Sequence, residues 1–218
     1  MKPRNFVAIG LGAFGGTVAA ELARLGDHVL GIDIDEKSVN RLANTLSEAL
    51  IADCRDEEAL REAGVGSYDT ALVSIGEDFE SNILCVMNLR LLGVKTIWSK
   101  ALNKTQHRIL TKLGVDRVVL PEQEMGQHIA QMLHNPLVRD YVSLGNGFFV
   151  VQIGVPPDYE GQSLDDFQLG PKHNIRCLGV MRACNYIEAT SGDVVVHAGD
   201  QLLLLGQRAD LRQFGDNL

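Results

Sequence analysis

Phe6-Val7-Ala8-Ile9 runs directly into Gly10-Leu11-Gly12-Ala13-Phe14-Gly15, and the amphipathic segment Thr17 to Leu25 follows. A short apolar run, a glycine turn and a helical period, in that order, open a βαβ unit. Gly10 permits the tight turn, Gly12 lets the backbone approach a pyrophosphate, and Gly15 lets helix and strand pack closely. The helix N-terminus then offers free N–H groups to an anion. A second apolar run, His28-Val29-Leu30-Gly31-Ile32, ends in Asp33. That acid stands roughly 20 residues beyond the glycines, where a dinucleotide fold keeps the acceptor for its ribose hydroxyls. A carboxylate there repels a 2′-phosphate, which disfavours NADP.

Working outward, strand and helix alternate with a regular beat. The pattern predicts strands at 5–10, 28–33, 48–52, 70–75, 96–99 and 117–120, with helices at 14–25, 36–44, 56–64, 79–92 and 104–113. Asp35 and Asp56 are placed as helix caps, and Gly64, Gly93 and Gly114 as helix stops. Six strands joined by helical crossovers imply a parallel, doubly wound, Rossmann-like sheet. A further helix is predicted from Glu122 to Leu133, stopped by Asn135-Pro136, with a short helix at 137–142. The character then changes to short, turn-separated strands at 148–155, 176–182, 194–197 and 201–205. A helical turn at 164–169 and a helix at 209–214 complete a small α+β lobe. The predicted division is residues 1–134 for the Rossmann-like domain and 135–218 for the lobe.

Composition bounds the function class. The 218 residues are 45% hydrophobic and 22% charged, near the values of ordinary soluble domains. A formal net charge of −8 argues against a nucleic-acid surface. No apolar run is long enough to cross a bilayer, and the N-terminal strand is too short and glycine-interrupted for a signal peptide. Cys54, Cys85, Cys177 and Cys184 form no CxxC, so free thiols in a reducing cytosol are expected and a zinc site is not. The six histidines are dispersed, and no nucleophile elbow is present. The helix at 79–92 is apolar around much of its circumference, as in a buried core helix or an interface.

Further stretches carry a family resemblance. Gly31-Ile32-Asp33-Ile34-Asp35-Glu36, Ile97-Trp98-Ser99-Lys100-Ala101 and Gly114-Val115-Asp116-Arg117-Val118-Val119-Leu120-Pro121-Glu122, continuing through Met125-Gly126, join the glycine loop. Together they resemble the cytosolic regulatory subunits of Ktr/Trk-type potassium transporters, whose domains are called RCK, over nearly the whole chain. The resemblance implies a homo-oligomer, an octameric ring, lying at the inner face of the membrane beneath a separate membrane-embedded potassium transporter subunit. It implies gating by ATP or ADP, with NAD(H) the alternative. Two other readings stay open: an NAD(H)-dependent oxidoreductase, against which stands the lack of a paired acid and base for hydride chemistry, and a stand-alone nucleotide sensor.

The candidate contacts follow from both lines. Gly10, Gly12, Ala13, Phe14 and Gly15 form the loop, and Asp33 and Ile34 end the second strand. Asp53 and Cys54 follow the third strand, where a nucleotide fold frames the adenine or a loop is simply solvated. Ile75 and Gly76 follow the fourth strand. Lys100 closes the fifth, where phosphates collect, or is a surface lysine. Glu122 suits a helix N-terminus as a cap; the resemblance implies that it lies near the phosphates at a subunit interface and helps hold a divalent cation, Mg or Ca. It also implies that a compact basic stretch, Lys172 to Arg176, belongs to a lobe in which some members bind a cyclic dinucleotide or a cation. Ala13 is the departure: Ktr-type members resembling this chain carry arginine there. A lost charged contact to phosphate costs on the order of 1.5–3 kcal/mol, which leaves the ATP preference open, with Arg55 as a compensating cation.

Overall fold

The computed structural model describes residues 3–189 and 194–218. It forms two compact units, Met1–Glu124 and Met125–Leu218.

In the first unit, strands β1 (Asn5–Ile9), β2 (His28–Asp33), β3 (Glu48–Ile51), β4 (Thr70–Val73), β5 (Thr96–Lys100) and β6 (Arg117–Val119) alternate with helices α1 (Ala13–Arg24), α2 (Glu36–Leu42), α3 (Glu57–Glu62), α4 (Phe79–Leu91) and α5 (Lys104–Lys112). The sheet order is β3-β2-β1-β4-β5-β6, and every pair is parallel. Both faces are covered, as a parallel sheet requires. Val7, Ile9, Leu30, Ile32, Val73 and Ile97 pack on one side, and Ala8, Leu11, Val29 and Leu46 on the other. The predicted caps are in place: Asp35 accepts from the N–H groups of Lys37 and Ser38, and Asp56 from those of Glu58 and Ala59. Gly64, Gly93 and Gly114 take positive φ after their helices.

Chain direction reverses its stacking order between β1 and β4. Strands to one side of β1 run outward as β2 and β3, and to the other side as β4, β5 and β6. That switch point opens a crevice at the carboxyl ends of the strands. Gly15 sets the spacing beneath it. A Cβ on Gly15 would sit 2.0 Å from the Gly10 carbonyl oxygen and 2.8 Å from Ser74 Cβ, so only glycine allows α1 to lie this close.

Helix α6 (Pro121–His134) contains the boundary between the units. The second unit is a five-stranded antiparallel sheet in the order β10-β9-β11-β8-β7. Its strands are β7 (Val138–Gly145), β8 (Phe148–Gly154), β9 (Arg176–Arg182), β10 (Asn185–Glu188) and β11 (Gln201–Gln207). Helices α7 (Leu169–His173) and α8 (Arg208–Gly215) pack on it. The predicted helix at 137–142 is instead β7. Asn146 and Gly147 take φ of 52° and 80°, the paired positive values of a two-residue hairpin turn, and this turn folds residues 138–145 back against β8. The predicted strand at 194–197 reduces to a single bridge between Val195 and Ser163. Strand β10 has no forecast because its turn is Ala183-Cys184, with Ala183 at φ 51°, and neither residue type signals a turn.

Candidate functional site

A cavity of about 330 Å3 lies at the switch point. It is walled by Ile9, Gly10 and Gly12 of the glycine turn, by Asp33 and Ile34 after β2, by 52–55 after β3, by Ser74 and Ile75 after β4, and by Asp78 and Ser81 at the start of α4. Its volume is in the range of small-molecule and cofactor sites.

Gly12 is the N-cap of α1 and offers no capping side chain, so the first-turn N–H groups have no partner from the cap. A Cβ on Gly12 would meet nothing within 4 Å. Open space above a helix N-terminus is what a close-approaching anion needs. Asp33 holds the turn in shape. Its Oδ2 accepts from the Leu11 N–H at 2.6 Å and its Oδ1 from the Asp35 N–H at 2.9 Å. Each carboxylate oxygen keeps a second lone pair for a hydroxyl. From the other side, Arg41 Nη2 donates to the Leu11 carbonyl at 2.5 Å.

Asp53 and Arg55 face each other across two residues. Arg55 Nε donates to both carboxylate oxygens at 3.0 Å and Nη2 to Oδ2 at 2.6 Å. This pairing holds the Asp53 carboxyl below its ordinary range and raises Arg55. Arg55 is therefore tied to Asp53 and is not a free cation for phosphate. Asp78 caps α4, accepting from the Ser81 N–H at 3.0 Å and hydroxyl at 2.5 Å, which lowers its pKa. Three carboxylates and one guanidinium thus line the cavity.

Two asparagines on α4 lock the loops around this space. Asn82 is fully buried. Its Nδ2 donates to the carbonyls of Ile75 (3.0 Å) and Lys100 (3.2 Å), and its Oδ1 accepts from Ser99 Oγ (2.9 Å). Asn88 Nδ2 donates to the carbonyls of Cys54 (3.2 Å) and Arg55 (3.0 Å).

Gly10, Gly12, Asp33, Ile34, Asp53, Cys54 and Ile75 of the predicted set share the cavity wall. Ala13, Phe14, Gly15, Gly76, Lys100 and Glu122 do not. Gly15 is a packing position, and Ala13 is exposed on the first turn of α1. The other four cluster together: Lys100 Nζ pairs with Glu122, stands 5.9 Å from the Phe14 ring centre, and would be 3.7 Å from a Cβ on Gly76. The pairing lowers the Glu122 pKa. Among the described residues no group of three His, Cys, Asp or Glu side chains could hold a metal ion. Asp78 and Ser81 carry no site signal in the sequence beyond their Asp-x-x-Ser cap spacing, and Asn82 carries none. In the second unit, Ile175 and Arg176 of the basic stretch line a separate open cleft with Gln168, Gly170 and Ala189.

A model described as the TrkA-N domain matches residues 6–121, and one described as the TrkA-C domain matches 149–218. The chain belongs to the TrkA-N/TrkA-C family. Ktr system potassium uptake protein C of Bacillus subtilis is 34% identical over 97% of this chain and 96% of its own length. Ktr system potassium uptake protein A of Vibrio alginolyticus is 32% identical over 95% of this chain and 94% of its own. The fold is also that of the GsuK channel bound to NAD, with a TM-score of 0.66 and 12% identity over 96% of this chain and 38% of that one. Among the described residues no helix is long and apolar enough to cross a membrane.

Proposed function

We propose that this chain is the nucleotide-binding regulatory subunit of a Ktr-type potassium uptake system. In this reading the switch-point cavity takes an adenine nucleotide, and its occupancy changes the arrangement of neighbouring copies beside a membrane-embedded potassium transporter subunit. The observation that carries the reading is the joining, in one cavity, of an uncapped helix N-terminus over open space with the Asp33 carboxylate at the neighbouring strand end. The diphosphate would meet the N–H groups of α1, and the ribose hydroxyls the free lone pairs of Asp33. The role is binding and gating rather than turnover. It locates the chain in the cytoplasm, at the inner membrane face through its partner.

The charge pattern supports a ranking among nucleotides. The one guanidinium in the wall is neutralised by Asp53, and Lys100 by Glu122. A third phosphate gains no unpaired side-chain cation, so NAD(H) and ADP rank ahead of ATP. A divalent cation bridging Glu122 and the phosphates would reverse that order, since hard cations take carboxylate and phosphate oxygens. Assembly with further copies is supported by α4: Cys85, Val86 and Leu89 are buried, while Leu84, Met87 and Leu91 stand exposed along the opposite stripe.

Trp98 on β5 is the sole tryptophan, which gives a direct test. NADH bound at the switch point should quench Trp98 emission by energy transfer to the reduced nicotinamide, and ADP should restore it. Unchanged emission at millimolar NADH together with no competition by ADP would end the reading. Co-purification with a tagged transporter subunit then separates a gating subunit from a stand-alone sensor.

A further inference from the structure

The cavity wall carries chemistry that nucleotide binding does not use. Cys54 lies on it, in the loop after β3, and is the only thiol there. Helix α4 presents Ser81, Cys85 and Asn88 to that loop, spaced i, i+4, i+7 on one face. Cys54 Sγ reaches the Ser81 carbonyl at 4.0 Å, and Asn88 Nδ2 holds the Cys54 carbonyl at 3.2 Å. Cys85 stands between these two anchors on the same helix face, fully buried and in the same core cluster as Cys54. The pair therefore joins a sulfur at the cavity wall to a sulfur sealed behind it.

We propose that Cys54 is a thiol oxidation site whose reagent is a small hydroperoxide entering through the nucleotide cavity, and that Cys85 is its resolving partner. The Cys54 sulfur attacks the peroxide; the O–O bond breaks, an S–O bond forms, and the thiol proton leaves with the alcohol or water released. Cys85 sulfur then attacks the resulting sulfenic acid, an S–S bond forms, and water departs with the second thiol proton. Two thiols and one hydroperoxide give one disulfide, one alcohol or water and one further water, so the sulfurs are oxidised as the peroxide is reduced. The asymmetry of the pair fits these roles. The neighbouring Cys85 thiol draws the Cys54 thiol below its ordinary pKa, while burial pushes Cys85 well up. The thiolate is the reactive form, so attack starts at the cavity side. Cys177, by contrast, is pushed up to about 11 by burial.

The test is peptide mapping of the full chain under non-reducing conditions after treatment with hydrogen peroxide. The expected product is a peptide linked through Cys54 and Cys85, released by dithiothreitol. In Cys85→Ala the sulfenic acid should persist at Cys54 and be trapped by dimedone. Oxidation confined to Cys184, with Cys54 and Cys85 still reduced, would overturn the proposal; so would a Cys54 product in the native chain that never links to Cys85. One further arm rests on the nucleotide reading: NAD or ADP at ten times its Kd leaves about one chain in eleven open, so disulfide formation should slow about tenfold. A disulfide that forms at the same rate with saturating nucleotide supports the thiol pair and counts against nucleotide in this cavity.

Discussion

Gly12→Ala separates a ligand-facing glycine from a packing one. Gly12 sits at φ −63°, ψ −165°, which alanine adopts without strain, and its added Cβ meets no protein atom within 4 Å. Replacing glycine stabilises by about 0.4–1 kcal/mol through the unfolded chain. Alanine is a poorer N-cap than glycine, by about 0.5–1 kcal/mol. The two offset, so the fold should change by less than about 0.5 kcal/mol, or roughly 2 °C in Tm for a unit this size. Binding should not survive so well. The methyl group occupies the space through which a diphosphate reaches the α1 N–H groups, and one lost charged hydrogen bond of about 1.5–3 kcal/mol weakens affinity about ten- to a hundredfold. Gly15→Ala is the opposite case: its Cβ falls 2.0 Å from the Gly10 carbonyl oxygen. Backbone must move, at about 1–3 kcal/mol or more, and Tm should fall. Thermal unfolding and calorimetric titration with NAD or ADP read both effects. Native affinity in a well-folded Gly12→Ala would refute close backbone approach at this turn.

Three other perturbations probe separate parts of the molecule. Asp33→Asn should weaken NAD and ADP about tenfold or more by removing a charged acceptor, and should narrow the discrimination against NADP, measured by competition titration. Asn82→Ala leaves the Ile75 carbonyl without its side-chain donor, and the Lys100 carbonyl and the Ser99 hydroxyl with only their 3.4 Å contact to each other. Urea unfolding should show a loss of about 2–3 kcal/mol; a loss below about 0.5 kcal/mol would mean those groups find other partners. In the second unit, burial of Asp200 pushes its pKa up, but hydrogen bonds from Arg182 and the His197 N–H prevail and hold it below the usual range. The unfolded chain therefore binds this proton more readily than the folded one. Its stabilising contribution is full above the ordinary aspartate value of about 3.9 and fades as pH falls through the lower folded value. Tm followed from pH 6 downward should drop in the native chain and drop less steeply in Asp200→Asn.

The first unit was legible because each local signal agreed with the next. The glycine turn, the acid ending β2, the Asp35 and Asp56 caps and the helix-stop glycines all specify the same alternation of strand and helix. Half of the cavity followed from that register, since strand ends converge at a switch point whatever the side chains are. What escaped depends on contacts distant in sequence. Lys100 and Glu122 are 22 residues apart but neighbours in space. Asn82 reads as an ordinary helix-surface residue until β4 and β5 close over it. In the second unit, a tail of Val138, Tyr141 and Val142 after Pro136 fits helix or strand, and only the Asn146-Gly147 hairpin decides for strand.

In the proposed function, the switch-point cavity of this TrkA-N unit binds an adenine nucleotide without consuming it. Calorimetric titration of the purified chain with NAD, NADH, ADP and ATP, each with and without magnesium, tests it most directly. The expected result is saturable binding of one nucleotide per chain, with NAD(H) and ADP tighter than ATP when magnesium is absent, and no change in NADH absorbance over time. Absence of binding heat for all four, or steady oxidation of NADH, would contradict it.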